Sequence, residues 1–78
     1  MKGRKVWIVE ETSPIKNNCL YAFSAKKKAL AYMRYIADSN AENDAVIVNN
    51  VLDVEITITS KSNPEYFVKY TVYYLIVK

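Results

Sequence analysis

Histidine is absent from these 78 residues, cysteine and glycine occur once each, and proline twice. Without histidine, neither a Ser-His-Asp nor a Cys-His nucleophile arrangement can be assembled. The lone Cys19 has no partner for an internal disulfide and cannot complete an ordinary zinc site, so a reducing, cytoplasmic setting is expected. Gly3 alone excludes a glycine-rich phosphate loop. Long apolar runs are missing too. The longest, Tyr70 to Val77, falls well short of the roughly 18 residues of a spanning helix. The basic start, Met1 to Lys5, is followed by an apolar run that stops at Val9 before Glu10-Glu11, so no secretion signal and no membrane association are expected. The remaining reactive side chains read blandly: Glu10-Glu11 and the Glu42, Asp44 pair as solvated charge, and Cys19 as a buried, inert thiol. No enzyme activity, cofactor or metal is expected.

What is present is an ordinary globular composition: 51% hydrophobic and 24% charged residues. A chain of this length makes one domain and buries only about 60–65% of the surface its unfolded form exposes, so the core is thin. The net charge of +3 hides a division. Residues 1–37 hold eight Lys/Arg against two Asp/Glu, and residues 38–78 hold three against six. Such a balance permits contact with nucleic acid or an acidic protein surface without requiring either.

Patterning predicts β-β-α-β-β. Arg4 to Glu11 suits a strand, stopped by Thr12-Ser13-Pro14, and Cys19 to Phe23 is a second strand after a loose loop containing Asn17-Asn18. From Ser24, a natural N-cap, the period becomes helical, with Ala29, Leu30, Met33, Ile36 and Ala37 on one stripe and an end near Ser39-Asn40. Val51 to Thr59 is a third strand with Val54, Ile56 and Ile58 on its dry face. Ala45 to Val48 either extends it through a bulge at Asn49-Asn50 or pairs back as a small hairpin, and the extension is favoured. After a turn at residues 61–64, Glu65 to Val77 forms the last strand. The expected fold is α+β: one helix packed on a four-stranded antiparallel sheet, order 2-1-3-4, with the last strand at an edge.

One helix covers one face of such a sheet. On the last strand, Tyr66, Val68, Tyr70, Val72, Tyr74 and Ile76 point one way, and Phe67, Tyr73, Leu75 and Val77 point the other beside Lys69 and Thr71. The second set needs a cover, so Phe67, Tyr73 and Leu75 are expected to meet a partner, either another protein or a second copy. A second feature is Lys26-Lys27-Lys28 in the first helical turn, where each cation opposes the helix dipole by roughly 0.3–1 kcal/mol. With Arg34 and Tyr35 these lysines form a basic face opposite the stripe. It is either a solvated surface or a docking surface for acidic protein groups or nucleic acid.

The run Lys5-Val6-Trp7-Ile8-Val9, followed by Phe23-Ser24-Ala25-Lys26-Lys27-Lys28-Ala29-Leu30-Ala31-Tyr32-Met33, resembles small bacteriophage and bacterial proteins. Those carry a Phe-Ser-x-Lys-x-Lys-Ala-x-x-Tyr segment at a helix entrance. The similarity covers the first half, and the long aromatic last strand departs from it. It implies a counter-defence setting in the host cytoplasm. There the chain would be a stoichiometric, non-enzymatic inhibitor of a host protein target, such as an anti-CRISPR or an inhibitor of another nucleic-acid-handling complex. The alternatives are a small nucleic-acid-binding protein that uses the basic helix face, and a homodimeric structural domain.

Overall fold

The computed structural model describes residues 3–14 and 16–77, the side chains of Lys16 and Asn17 excepted. Its frame is the antiparallel pairing of β1 (Arg4–Ser13) with β5 (Phe67–Val77), which runs from Arg4 opposite Val77 to Thr12 opposite Lys69. β2 (Lys16–Phe23) lies on the other side of β1, with Trp7 opposite Phe23. The helix α1 (Lys26–Ala41) follows, then β3 (Val46–Val51) and β4 (Glu55–Ser60). The result is one five-stranded sheet in the order β2-β1-β5-β4-β3, antiparallel at every pairing.

This corrects the expected four strands in order 2-1-3-4. The last strand is not an edge; it lies in the middle, between β1 and β4. In the middle of the sheet β5, the chain's longest strand, is paired along both edges, so this aromatic-rich run is not left as an open edge. The segment expected to be one bulged third strand is two strands joined by a tight turn. Leu52 and Asp53 take left-handed backbone angles, φ 52° and 59°, as a type I′ hairpin turn requires. The Val54 N–H closes the turn on the Val51 carbonyl at 3.0 Å. Asn50 and Asp53 clasp it, the Asp53 N–H donating to Asn50 Oδ1 at 2.9 Å and Asn50 Nδ2 donating to Asp53 Oδ1 at 3.0 Å. The expected bulge at Asn49-Asn50 was therefore displaced: Asn50 governs a reversal that starts one residue later.

Smaller corrections concern boundaries. β1 runs on to Ser13 and β2 begins at Lys16, so the first hairpin is tighter than a loose loop through Asn17-Asn18, since ladder pairing outweighs the weak turn preference of asparagine. Ser24 does not cap the helix. Ala25 holds that position, extended at φ −142° and ψ 146°, with no side-chain capping bond. Neither an acid in the first turn nor a base in the last assists α1. Its stability comes from packing instead: Ala29, Met33, Ile36 and Ala37 are buried against Val9, Ile56 and Ile58, while Leu30 is half-buried at the stripe's margin.

Only one sheet face receives the helix. The Cα atoms span 51 × 23 × 15 Å, and the short dimension holds one helix layer on one sheet layer at the usual spacing of about 10 Å. At one end, β4 pairs with β5 no further than Thr71 and β2 pairs with β1 no further than Trp7. Beyond them, Arg4–Val6 and Leu75–Val77 continue as a two-stranded ribbon. Gly3 lies against that ribbon, where an added Cβ would meet Ile76 Cγ2. Among the described residues no helix is long and apolar enough to cross a membrane.

Candidate functional site

Three surfaces carry chemistry. The first lies on the face that α1 leaves uncovered. Register places Val6 of β1 opposite Leu75 of β5 and Ile8 between Ala22 of β2 and Tyr73 of β5 there, with Leu20 of β2 opposite Glu10 at one limit and Val77 of β5 opposite Arg4 at the other. Leu20 is 60% exposed, Leu75 52% and Val77 51%. The apolar surface does not extend across the whole face. A polar band follows, in which Tyr73 donates to Glu10 Oε1 at 3.2 Å and Lys69 pairs with Glu55 at 3.1 Å. Phe67 of β5 and Ile47 of β3 lie beyond it, on either side of Thr59 of β4. Desolvation, then the bond to Glu10, pushes the Tyr73 hydroxyl pKa up. The predicted pair Tyr73 and Leu75 thus shares one apolar corner, and Phe67 is separated from it by charge.

The second surface is a groove of about 770 Å³ between the flank of α1 and the β3–β4 turn, lined by Lys26, Lys27, Leu30, Ala31, Arg34 and Asp53. Within that lining, Arg34 Nη2 donates to Asp53 Oδ2 at 3.1 Å. The hydrogen bond from Asn50, and then that from Arg34, hold the Asp53 carboxyl below the usual carboxylate range. Of the basic helix face expected from sequence, Lys26, Lys27 and Arg34 come together here. Lys28 and Tyr35 are exposed outside the lining, because 100° per residue turns them to the other flank and the outer side of the helix. Those five positions and the sheet positions Phe67, Tyr73 and Leu75 occupy opposite sides of the sheet, so no small ligand touches both sets.

The third surface was not anticipated. On the helix-bearing face, at the ribbon end, Trp7 and Tyr74 face each other across the β1–β5 ladder with ring centroids 5.2 Å apart. Lys5 Nζ lies 4.8 Å from the Tyr74 centroid, and Lys26 Nζ lies 5.5 Å from that of Trp7. Two cations therefore bracket an aromatic pair, each contact worth about 0.5–1 kcal/mol at such exposed positions. Sequence reasoning missed this cluster because an edge placement of the last strand separates Tyr74 from Trp7. The available signal was the alternation Lys5-x-Trp7, which puts both side chains on one face of the strand.

The carboxylates read as solvated are not alike. Glu11 is buried and accepts a hydrogen bond from the Tyr21 hydroxyl at 3.1 Å. That bond, and then the charge of Glu11, push the Tyr21 pKa up to about 12, while burial first and Glu11 second push Tyr70 up to about 12. Tyr32 of α1 meets Tyr21 and Phe23 in tilted ring contacts with centroids at 5.3 and 5.4 Å. Glu11, Tyr21 and Tyr32 thus form a continuous chain of contacts from β1 through β2 to α1. Among the described residues no group of three or more His, Cys, Asp or Glu is placed to hold a metal ion. No protein-family model matches the chain, and no curated protein or solved structure matches it.

Proposed function

We propose that this domain is a non-enzymatic protein-binding module that seats its partner on the apolar corner of the uncovered sheet face. One observation carries the reading: Leu20 on β2 and Leu75 and Val77 on β5, the two strands that flank β1, stand more than half exposed on a face where the described residues supply no second layer. Burying the exposed half of each such side chain contributes roughly 1 kcal/mol, so the corner anchors a partner as part of a larger interface. In the setting implied by the resemblance to phage proteins, the partner is a host defence protein and the module its stoichiometric inhibitor.

The test compares variants in nuclease-treated lysate of the host. Wild type and Lys27→Glu/Arg34→Glu should recover the same host protein in stoichiometric amount, and Leu20→Glu/Leu75→Glu should not. Recovery indifferent to the sheet variant, or abolished by nuclease, removes the proposal.

A second reading is self-association through β3. The observation favouring it is that this edge strand, Val-Ile-Val-Asn-Asn-Val, carries neither charge nor proline to prevent pairing with a copy of itself. Light scattering separates the two. A dimer that Val48→Lys dissociates supports edge pairing, and one that Leu75→Glu dissociates places the second copy on the sheet corner.

A further inference from the structure

The geometry points to a single-stranded nucleic-acid contact at the ribbon end of the molecule, distinct from the apolar corner. We propose that an unpaired base stacks on Tyr74 beside Trp7, and that Lys5, Lys26 and Lys27 take the flanking phosphates.

The aromatic pair is accessible: Tyr74 is 48% exposed and Trp7 part-buried beside it. Both lie at the end of the sheet where β4 has stopped, so no strand walls off that side of Tyr74. The Val72 N–H donates to the Val54 carbonyl, which fixes the phase of the ladder. Tyr74 and Ile76 therefore turn their backbone groups outward past the β3–β4 turn, giving a polar rail next to the ring. A base can displace Lys5 from the Tyr74 face, because base–aromatic stacking is stronger than an exposed cation–π contact, and the freed ammonium then serves a phosphate. Lys26 and Lys27 continue the positive surface into the groove along α1. The acid in that groove, Asp53, is already engaged by Arg34 and Asn50, so repulsion of a phosphate there is reduced and Arg34 is not counted among the phosphate ligands.

Charge complementarity selects a polyanion, and the aromatic pair selects one with flat, unstacked groups. A duplex hides its base faces, and an acidic peptide offers charge without a stacking partner. A single strand satisfies both requirements. The same alternation of Lys5 and Trp7 along one strand supplies cation and ring at neighbouring positions on one face, so the contact needs no rearrangement of backbone.

Trp7 is the chain's sole tryptophan, so its fluorescence reports the site directly. The protein is titrated with a short oligothymidylate, the abasic phosphodiester of equal length, a duplex and polyglutamate. Oligothymidylate should quench Trp7 saturably. Its affinity should fall with salt at a log–log slope of about −2, as three phosphate contacts predict at ~0.7 each. Lys5→Ala/Lys26→Ala/Lys27→Ala should remove that slope and cost on the order of 100-fold near 0.1 M salt. Tyr74→Ala should weaken oligothymidylate at least tenfold and leave the abasic strand unchanged. Leu20→Glu/Leu75→Glu should bind oligothymidylate as wild type does, so failure here and failure of the protein-binding reading are separable. Thermal melts verify that each variant is folded. The proposal is overturned by absence of quenching, by equal affinity for the abasic strand, by preference for the duplex, or by polyglutamate competing as well as the oligonucleotide.

Discussion

Arg34 Nη2 stands 3.1 Å from Asp53 Oδ2 and thereby joins the middle of α1 to the tip of the β3–β4 turn, nineteen positions along the chain. The same carboxylate is fixed from its other side by Asn50, so one side chain shapes a turn and docks a helix. Both residues line the groove that Lys26 and Lys27 also line.

Acid should release this clasp. The Asp53 pKa is depressed from 3.8, so the folded state binds fewer protons there than the unfolded state. Its contribution is therefore complete above the unfolded value and disappears as pH falls through the depressed one. Melting temperatures followed by circular dichroism from about pH 5 to 2 should decline less steeply for Asp53→Asn than for wild type. Parallel curves would show that the clasp adds nothing to the fold.

Leu52 is the most wasteful residue of the turn. It is 88% exposed and held at φ 52°, a conformation that disfavours branched side chains and that asparagine accepts readily. Leu52→Asn should raise stability by about 1 kcal/mol, seen as a higher urea midpoint at unchanged slope. A lower midpoint would mean that Leu52 is covered by something in solution.

Depth should separate the apolar residues. Met33 is fully buried beneath α1, and Met33→Ala should cost about 2–5 kcal/mol. A domain of this size has only about 4–12 kcal/mol in total, so the variant sits near unfolding in urea titrations. Leu20→Asn, on the exposed corner, should stay within about 0.5 kcal/mol of wild type.

Alkali should act through the tyrosines around Glu11. Tyr21 and Tyr70 keep their protons to about pH 12 when folded, whereas the reference value is 10.0. Between those values the folded state binds more protons than the unfolded state, so stability is full below pH 10 and falls as pH rises toward 12. Urea midpoints taken at about pH 9 and 11 should differ more in wild type than in Tyr21→Phe/Tyr70→Phe. Equal differences would place the alkaline sensitivity elsewhere.

Local patterns in the sequence located α1, the alternation of β4 and the two-sided apolar character of β5, because each depends on neighbouring residues alone. Pairing order was not legible. Whether β5 stands beside β1 or at an edge depends on contacts some 65 positions apart in sequence, and no local propensity encodes that choice. The β3–β4 turn was obscured because Leu52 occupies a left-handed site normally given to Gly or Asn, so its chemistry resides in the Asn50–Asp53 clasp rather than in the turn residue. The basic surface was partly legible: Lys26, Lys27 and Arg34 converge as helical spacing predicts, while the Lys5–Tyr74–Trp7–Lys26 stack needed the correct strand neighbour.

β5 follows both hairpins in sequence and is inserted between them in space. A nascent chain that has emerged from the ribosome only as far as Glu65 holds β1–β2 and β3–β4 with no ladder to join them. Isolated hairpins are marginal in water. Val9 on β1 and Ile56 on β4, which share one core beneath α1 in the finished domain, then lie on hairpins with no strand between them. Folding in vivo should thus be a late, single event, gated by the arrival of one strand.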